Sequence, residues 1–198
     1  MRIGIVSDVH CDHEGLAFVV SEFAASGVDE IILAGDAHNQ YRFSNEVTEL
    51  IREHEMRYVL GNHEEILLRP DSRAITMPAV RADNVEFVRS SPTRIRTIVS
   101  GKVLTVVHAN PFEPNFDYLY PGNPAFSRCD ELDTDYLVLG HTHVPMAERI
   151  GRTLVVNPGS LPATLPQGVN RSIAYAILDI AADEATLIRR PRPDFTQA

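Results

Sequence analysis

Residues 3–10 read IGIVSDVH, a short apolar stretch that runs directly into Asp8 and His10, two groups able to bind a metal. Four later stretches repeat the arrangement: Ile31–Leu33 before Asp36, Tyr58–Leu60 before Asn62 and His63, Val103–Val107 before His108, and Tyr136–Leu139 before His141 and His143. Runs rich in Val, Ile, Leu and Tyr, closed by Gly or a polar residue, read as buried strands. Open α/β folds place their ligands at the carboxyl ends of the strands. If these five runs share one edge, seven or eight coordinating groups meet in one crevice, enough for two metal ions.

Between the first runs the period changes to that of helices. Leu16, Val19, Val20 and Phe23 fall on one helical face that should stop near Gly27. Ser44 or Asn45 can cap a second helix with Val47, Leu50 and Ile51 inward and Glu46 in its first turn. Strand and helix in alternation imply right-handed parallel crossovers. From Glu65 to about Arg94 the pattern weakens, with Pro70, Pro78 and Pro92, and predicts short helices and surface loop. Ile95–Val99 and Val103–Val107 flank Ser100–Gly101 as a hairpin. The segment Pro111–Pro124, with Phe112, Phe116, Tyr118 and Tyr120, is expected to be a loop folded against the body, its aromatics mainly packing. Met146–Ile150, Thr153–Val156, Ser172–Asp179 and Ala185–Arg189 then suggest strands of a second sheet, and residues 190–198 a frayed, solvated tail carrying Arg190 and Arg192. The expected fold is α/β: a four-layer α-β-β-α sandwich of two mixed β-sheets flanked by helices, one domain over residues 1–198.

Composition narrows the function. The chain is 44% hydrophobic and 23% charged, ordinary for a globular domain, and no apolar run approaches a membrane span. A start that enters a strand without a basic, cleavable leader points to the cytoplasm. Cys11 and Cys129 form no CxxC pair, so thiolate metal binding is not expected. A net charge of −9 disfavours an extended nucleic-acid surface but leaves a small phosphorylated substrate open, because two divalent cations would reverse the local sign. Oligomeric state does not follow from these features. In extended backbone, residues i and i+2 share a side, so Asp8 with His10, and His141 with His143, are expected to send two ligands into one space. The mixture of imidazole, carboxylate and amide suits Mn, Fe, Zn, Co or Ni.

The motifs DVH at 8–10, GDAH at 35–38, GNHE at 61–64, His108, and GHTH at 140–143, with NPGS at 157–160, resemble those of the calcineurin-like metallophosphoesterase superfamily, in particular its small, uncapped bacterial phosphodiesterase-like members. The resemblance implies the metallophosphatase fold and two divalent transition-metal ions, manganese first. Asp8, His10, Asp36 and His143 would hold one ion; Asp36, Asn62, His108 and His141 the other. Asp36 would bridge them, and His63 would face the phosphate and assist the leaving group. The implied activity is hydrolysis of phosphate esters, chiefly diesters, by a metal-bridging hydroxide. Its rivals are a phosphomonoesterase or phosphoprotein phosphatase of the same family, and a non-catalytic scaffold reusing the fold. Cys11 stands where a glycine is common, and Ala109–Asn110 follow His108 where Gly-Ser or Gly-Thr is frequent. His13 and His38 match no family ligand and are expected at the rim or behind the ligands, His54 on a solvated face. The helix beginning near His13 would aim amide groups at an anion.

Overall fold

The computed structural model describes residues 1–113, 116–161 and 172–195. Chain order runs β1 (Arg2–Val6), α1 (His13–Ala25), β2 (Glu30–Leu33), α2 (Asn45–Glu53), β3 (Arg57–Tyr58), α3 (Asn62–Leu67), α4 (Ala82–Ser90), β4 (Arg94–Val99) and β5 (Lys102–Val107). It continues through β6 (Tyr136–Val138), β7 (Met146–Ile150), β8 (Thr153–Asn157), β9 (Ser172–Asp179) and β10 (Glu184–Pro191), with 3-10 turns at Ala74–Thr76 and Phe126–Glu131. Among the described residues no helix is long and apolar enough to cross a membrane.

The helix ends follow local chemistry. Asp12 caps α1 by accepting the Gly15 N–H at 3.1 Å, and the chain leaves that helix through Gly27 at φ +66°. Ser44 caps α2 through the Val47 N–H at 3.2 Å. Both helices bury the predicted faces, except that Leu50 is only partly covered and Thr48 joins Val47 and Ile51 inside.

Two mixed five-stranded sheets result, with orders β10-β9-β1-β2-β3 and β4-β5-β6-β8-β7. In the first, β1, β2 and β3 are parallel, whereas β9 runs antiparallel beside β1. In the second, β5, β6 and β8 are parallel, with antiparallel β4 and β7 at the edges. The sheets face each other across Ile3, Ile5, Ile32, Val59, Leu104, Val106, Tyr136, Val138 and Leu178. The opposite face of the first sheet packs Val6, Leu33, Tyr58 and Tyr175 against Leu16, Val19 and Phe23 of α1, Val47 and Ile51 of α2, and Val88 of α4. On the outer face of the second sheet, Val107, Leu137 and Val155 are covered by Leu119, Phe126 and Cys129, so a loop and a 3-10 turn form that outer layer.

Two expectations change here. β9 and β10 belong to the first sheet, not the second. β9 is buried along both faces, with Ala176 and Leu178 between the sheets and Ile173, Tyr175 and Ile177 toward the helices, and its backbone pairs with β1. The chain end is also more ordered than its composition suggests. β10 carries Arg189 and Arg190 through to Pro191, and Arg192 makes a charge-assisted pair with both Asp12 oxygens, 2.6 Å to Oδ1, while its guanidinium lies 5.0 Å from the Phe195 ring. The last positions of the expected tail, 196–198, lie outside the described residues.

Gly4 shows how tightly β1 is set against α1. A Cβ there would come within 2.8 Å of the Phe23 ring, which is itself packed edge-on to Tyr175 at 5.4 Å. Gly4→Ala should therefore destabilise the protein by about 1–3 kcal/mol through overpacking. The expected reading is a lower urea midpoint with unchanged slope, and a midpoint equal to that of the unmodified chain would contradict this packing.

Candidate metal centre

Backbone pairing continues past the strand ends and brings the motifs together. The Asp8 N–H donates to Gly35 O at 3.1 Å, His10 N–H to Asp36 O at 3.0 Å, and Cys11 N–H to Ala37 O at 2.9 Å, so the loops after β1 and β2 stay in register. Gly140 N–H donates to His108 O at 2.7 Å and does the same for β5 and β6. The two sheets are stitched by His141 N–H to Asp8 Oδ2 at 3.0 Å. Asn157 of the NPGS turn braces that stitch, its Nδ2 donating to Gly140 O at 2.6 Å and Thr142 Oγ1 at 3.1 Å. Gly159, at φ +86°, occupies the left-handed position of this turn.

Asp8, His10, Asp36, His141 and His143 all have left-handed backbone, with φ of 54°, 48°, 52°, 65° and 58°. The extended i, i+2 geometry expected for the two pairs is thus absent. Side chains converge because the backbone coils where each strand ends. Such conformations cost of the order of 1–3 kcal/mol each in non-glycine residues and persist where the surrounding structure over-determines them. Cys11 shares the strain at φ 68°, which accounts for a glycine being comfortable at that position. Its buried Sγ–H donates to Arg42 O at 3.1 Å, and burial pushes the thiol up to about 11, so it is held protonated.

Two groups of donor atoms form. In the first, His143 Nε2 lies 3.1 Å from Asp8 Oδ1 and 3.3 Å from His10 Nε2, while His10 Nε2 is 3.9 Å from the same carboxylate oxygen. Asp8 is buried, and its bond and charge raise the pKa of His143 above the ordinary imidazole value. In the second, His108 Nδ1–H donates to Ala34 O at 2.8 Å, which turns Nε2 toward Asp36 Oδ2 at 3.3 Å and Asn62 Oδ1 at 3.0 Å. Burial opposes charge on His108, but Asp36 and Asp8 overcome it and hold the imidazole up at about 9. Burial likewise opposes charge on Asp36, and the bond and charge of His108 prevail, bringing it down to about 2. Imidazole, carboxylate and amide atoms crowded around one point suit a cation, which would take the place of the protons they otherwise share, so the donor set fits a metal in each group. Asp36 approaches both: its carboxylate groups with Asp8 and His108 and also with His10 and His63.

His63 has a different orientation. Its Nδ1 accepts the Gln40 N–H at 3.2 Å, so the neutral ring carries its proton on Nε2, 3.8 Å from Asp36 Oδ2. A ring in that tautomer offers the centre a donor and no lone pair, which argues against reading the His10, Asp36 and His63 group as a ligand set. His141 stands at the edge. Its Nε2–H donates to Phe116 O at 3.1 Å, leaving Nδ1 as the nitrogen able to ligate, and its ring lies 5.2 Å from His108. Tyr118, half exposed, stacks on His141 at 4.4 Å and 20°, so one loop aromatic caps the site while Phe112 packs beneath it.

Glu64, which had no assigned role in the sequence reading, is fully buried and accepts N–H groups from Asp36 at 3.0 Å, His38 at 2.8 Å and Gly61 at 2.8 Å. It locks the loop after β2 to the start of α3. Burial and the charge of Asp36 push its acid up to about 7. The signal was present: a Glu three residues into a helix is the capping-box position. His38 lies behind the ligands, fully buried and stacked on Phe43 at 4.3 Å. Its Nδ1 accepts the Ser44 N–H at 3.3 Å, and Nε2 meets Thr48 Oγ1 at 3.3 Å. His13 and His54 are exposed. The head of α1 is taken by Asp12 and its partner Arg192, so it does not serve as an anion site.

Fold and site together define a metal-dependent phosphoester hydrolase. Residues 1–183 match the calcineurin-like phosphoesterase superfamily domain, and the chain belongs to that family. It is 27% identical over 189 residues to the phosphodiesterase YfcE of Escherichia coli, covering 90% of this chain and 88% of that one. It is 28% identical over 205 residues to an uncharacterized protein of Methanocaldococcus jannaschii, covering 89% and 82%. The crystal structure of a metallophosphoesterase from Sphaerobacter thermophilus superposes with a TM-score of 0.76 at 27% identity, over 98% of this chain and 90% of that chain.

The His38 imidazole yields a pH prediction. Burial lowers its pKa from 6.5 to about 3 in the folded chain. A depressed folded pKa contributes stability that is present above about 6.5 and is lost as pH falls toward 3, because only the unfolded chain takes up the proton. Between those limits His38→Gln should flatten the dependence of unfolding free energy on pH by up to about 1.4 kcal/mol per pH unit. Parallel urea curves from pH 7 to pH 4 provide the measurement, and identical slopes for the two proteins would refute it.

Proposed function

We propose that the protein is a dinuclear phosphodiesterase. Asp8, His10 and His143 would hold one divalent cation, and Asn62, His108 and His141, through its Nδ1, the other, with Asp36 shared. The donor chemistry supports Mn, with Fe, Zn, Co and Ni as candidates. Bound there, the pair supplies phosphoryl charge neutralisation and a water of lowered pKa, which can provide far more than the roughly 2.7–4 kcal/mol of one hydrogen-bond donor.

The chain's own residues position and assist. His63 presents Nε2–H to the phosphoryl group or the departing oxygen, as electrostatic stabiliser or general acid, held in that tautomer by the Gln40 amide. Asp36 stays ionised beneath it, and Glu64 sets the position of the Asp36 backbone.

The observation that carries the diester reading is the likeness to a relative named as a phosphodiesterase, which extends over 90% of this chain and 88% of that one. Two cavities border residues of the centre, one of about 480 Å³ lined by His108, Leu60, Val107, Arg94 and Phe116, the other of about 410 Å³ that includes Gln40, the residue whose amide holds His63.

Metal-stripped protein reloaded separately with Mn, Fe, Zn, Co, Ni or Mg should hydrolyse bis(4-nitrophenyl) phosphate faster than 4-nitrophenyl phosphate, with Mn the most effective. Absence of turnover with every metal would sink the enzymatic reading. Asp36→Asn should reduce the content of both ions. His63→Gln should retain metal and lose turnover by about 10²–10⁴-fold. Loss of metal from His63→Gln, measured by elemental analysis, would show that the division of roles is wrong.

A further inference from the structure

The cavity that shares Gln40 with the site has an unusual lining for so acidic a chain. Its walls are Gln40, Tyr41, Ile66, Arg69, Asp71, Ser72, Arg73 and Ala74. Most arginines among the described residues meet a carboxylate within 4.0 Å, among them Arg52, Arg57, Arg81, Arg96, Arg149 and Arg192. Arg69 and Arg73 have no ion pair or side-chain hydrogen bond among the described residues, although the chain carries 27 acidic residues against 18 basic ones. Asp71 shares the cavity without pairing with either, leaving the lining net positive. Two guanidinium forks without a carboxylate partner, lining one cavity, match a phosphate or similar oxyanion.

Position links this cavity to the reaction. Gln40 donates its backbone amide to His63 and also lines the cavity, and Ile66 follows His63 by one turn of α3, on the same helical face. Tyr41 is 76% exposed at the same wall, a large aromatic surface without burial to explain it. An exposed ring beside cationic forks suits a flat heterocycle attached to an anion.

We propose that Arg69 and Arg73, with Tyr41, form a subsite for a second anionic group carried by one ester arm of the substrate, so that the preferred substrates are phosphodiesters with a further phosphate next to a planar ring, as in nucleotide esters. The subsite rests on the phosphodiesterase reading for its place in catalysis, but its binding chemistry is separable from turnover. Arg69 and Arg73 are specificity-determining residues here, acting on the substrate at a distance from the reacting phosphorus.

Two measurements on the full-length, Mn-loaded protein decide the matter. Calorimetry compares thymidine 3′,5′-bisphosphate with thymidine 5′-monophosphate, and steady-state kinetics compares the 4-nitrophenyl ester of thymidine 5′-monophosphate with the same ester bearing a 3′-phosphate. The bisphosphate should bind about tenfold more tightly, and the 3′-phosphorylated ester should be preferred about tenfold, mainly through KM. In the double variant Arg69→Gln/Arg73→Gln both ratios should fall to about one, with metal content as in the parent. Equal binding of the two nucleotides by the parent protein, or ratios unchanged in the double variant, overturns the subsite even if both esters are cleaved. Arginine-dependent binding without cleavage of either ester overturns the phosphodiesterase reading and leaves the subsite standing.

Discussion

Asp8, Asp36, Asn62, His10, His108 and His143 direct electron pairs into a volume where neighbouring donor atoms lie 3.0–3.9 Å apart, and Asp8 and Asp36 are almost wholly withdrawn from water. Like-signed atoms crowded in this way repel unless a cation or a proton stands between them. His108 and Asp36 hold each other charged, the imidazole raised to about 9 and the carboxyl lowered to about 2, while buried Asp8 Oδ1 faces His143 Nε2 at 3.1 Å. Left-handed backbone at five candidate ligands adds to the strain. The rest of the molecule supplies the rigidity that holds this arrangement: two apolar layers, a shared register past the strand ends, and the Glu64 and Asn157 clamps.

This division of labour separates chemistry from support in a way that residue type alone does not show. His108 and His63 are both imidazoles facing Asp36, yet one is bonded through Nδ1–H to a carbonyl and the other accepts an amide at Nδ1. A single backbone partner therefore fixes opposite tautomers in the neutral rings, leaving Nε2 without a proton in one and with a proton in the other. His38, fully buried and only two residues from Asp36, spends both nitrogens on Ser44 and Thr48 and props the loop that carries Asp36.

Much of the fold was legible from short-range patterns. The caps at Asp12 and Ser44, the parallel crossovers and the β4–β5 hairpin follow from residue type and period, because those elements are stabilised locally. The β9–β10 hairpin was placed in the wrong sheet because alternation reports that a strand is buried and not which sheet buries it. The chain end read as solvated because Arg192 is far in sequence from Asp12, and composition cannot register a partner 180 residues away. The i, i+2 argument for Asp8 with His10 named residues that do share a space but supplied the wrong cause. It assumed strand geometry where the chain had already coiled.

What the sequence determined by itself was the inventory of candidate ligands: which side chains, and at the ends of which strands. Those depend on residue chemistry and on apolar runs that can be read in one dimension. Only the tertiary structure decided the tautomers, the buried clamp at Glu64 and, among the described residues, the arginines without a carboxylate partner in the cavity that Gln40 lines. Each of these depends on a distance between atoms that the chain keeps far apart, and on burial, which sets how strongly such atoms act on one another.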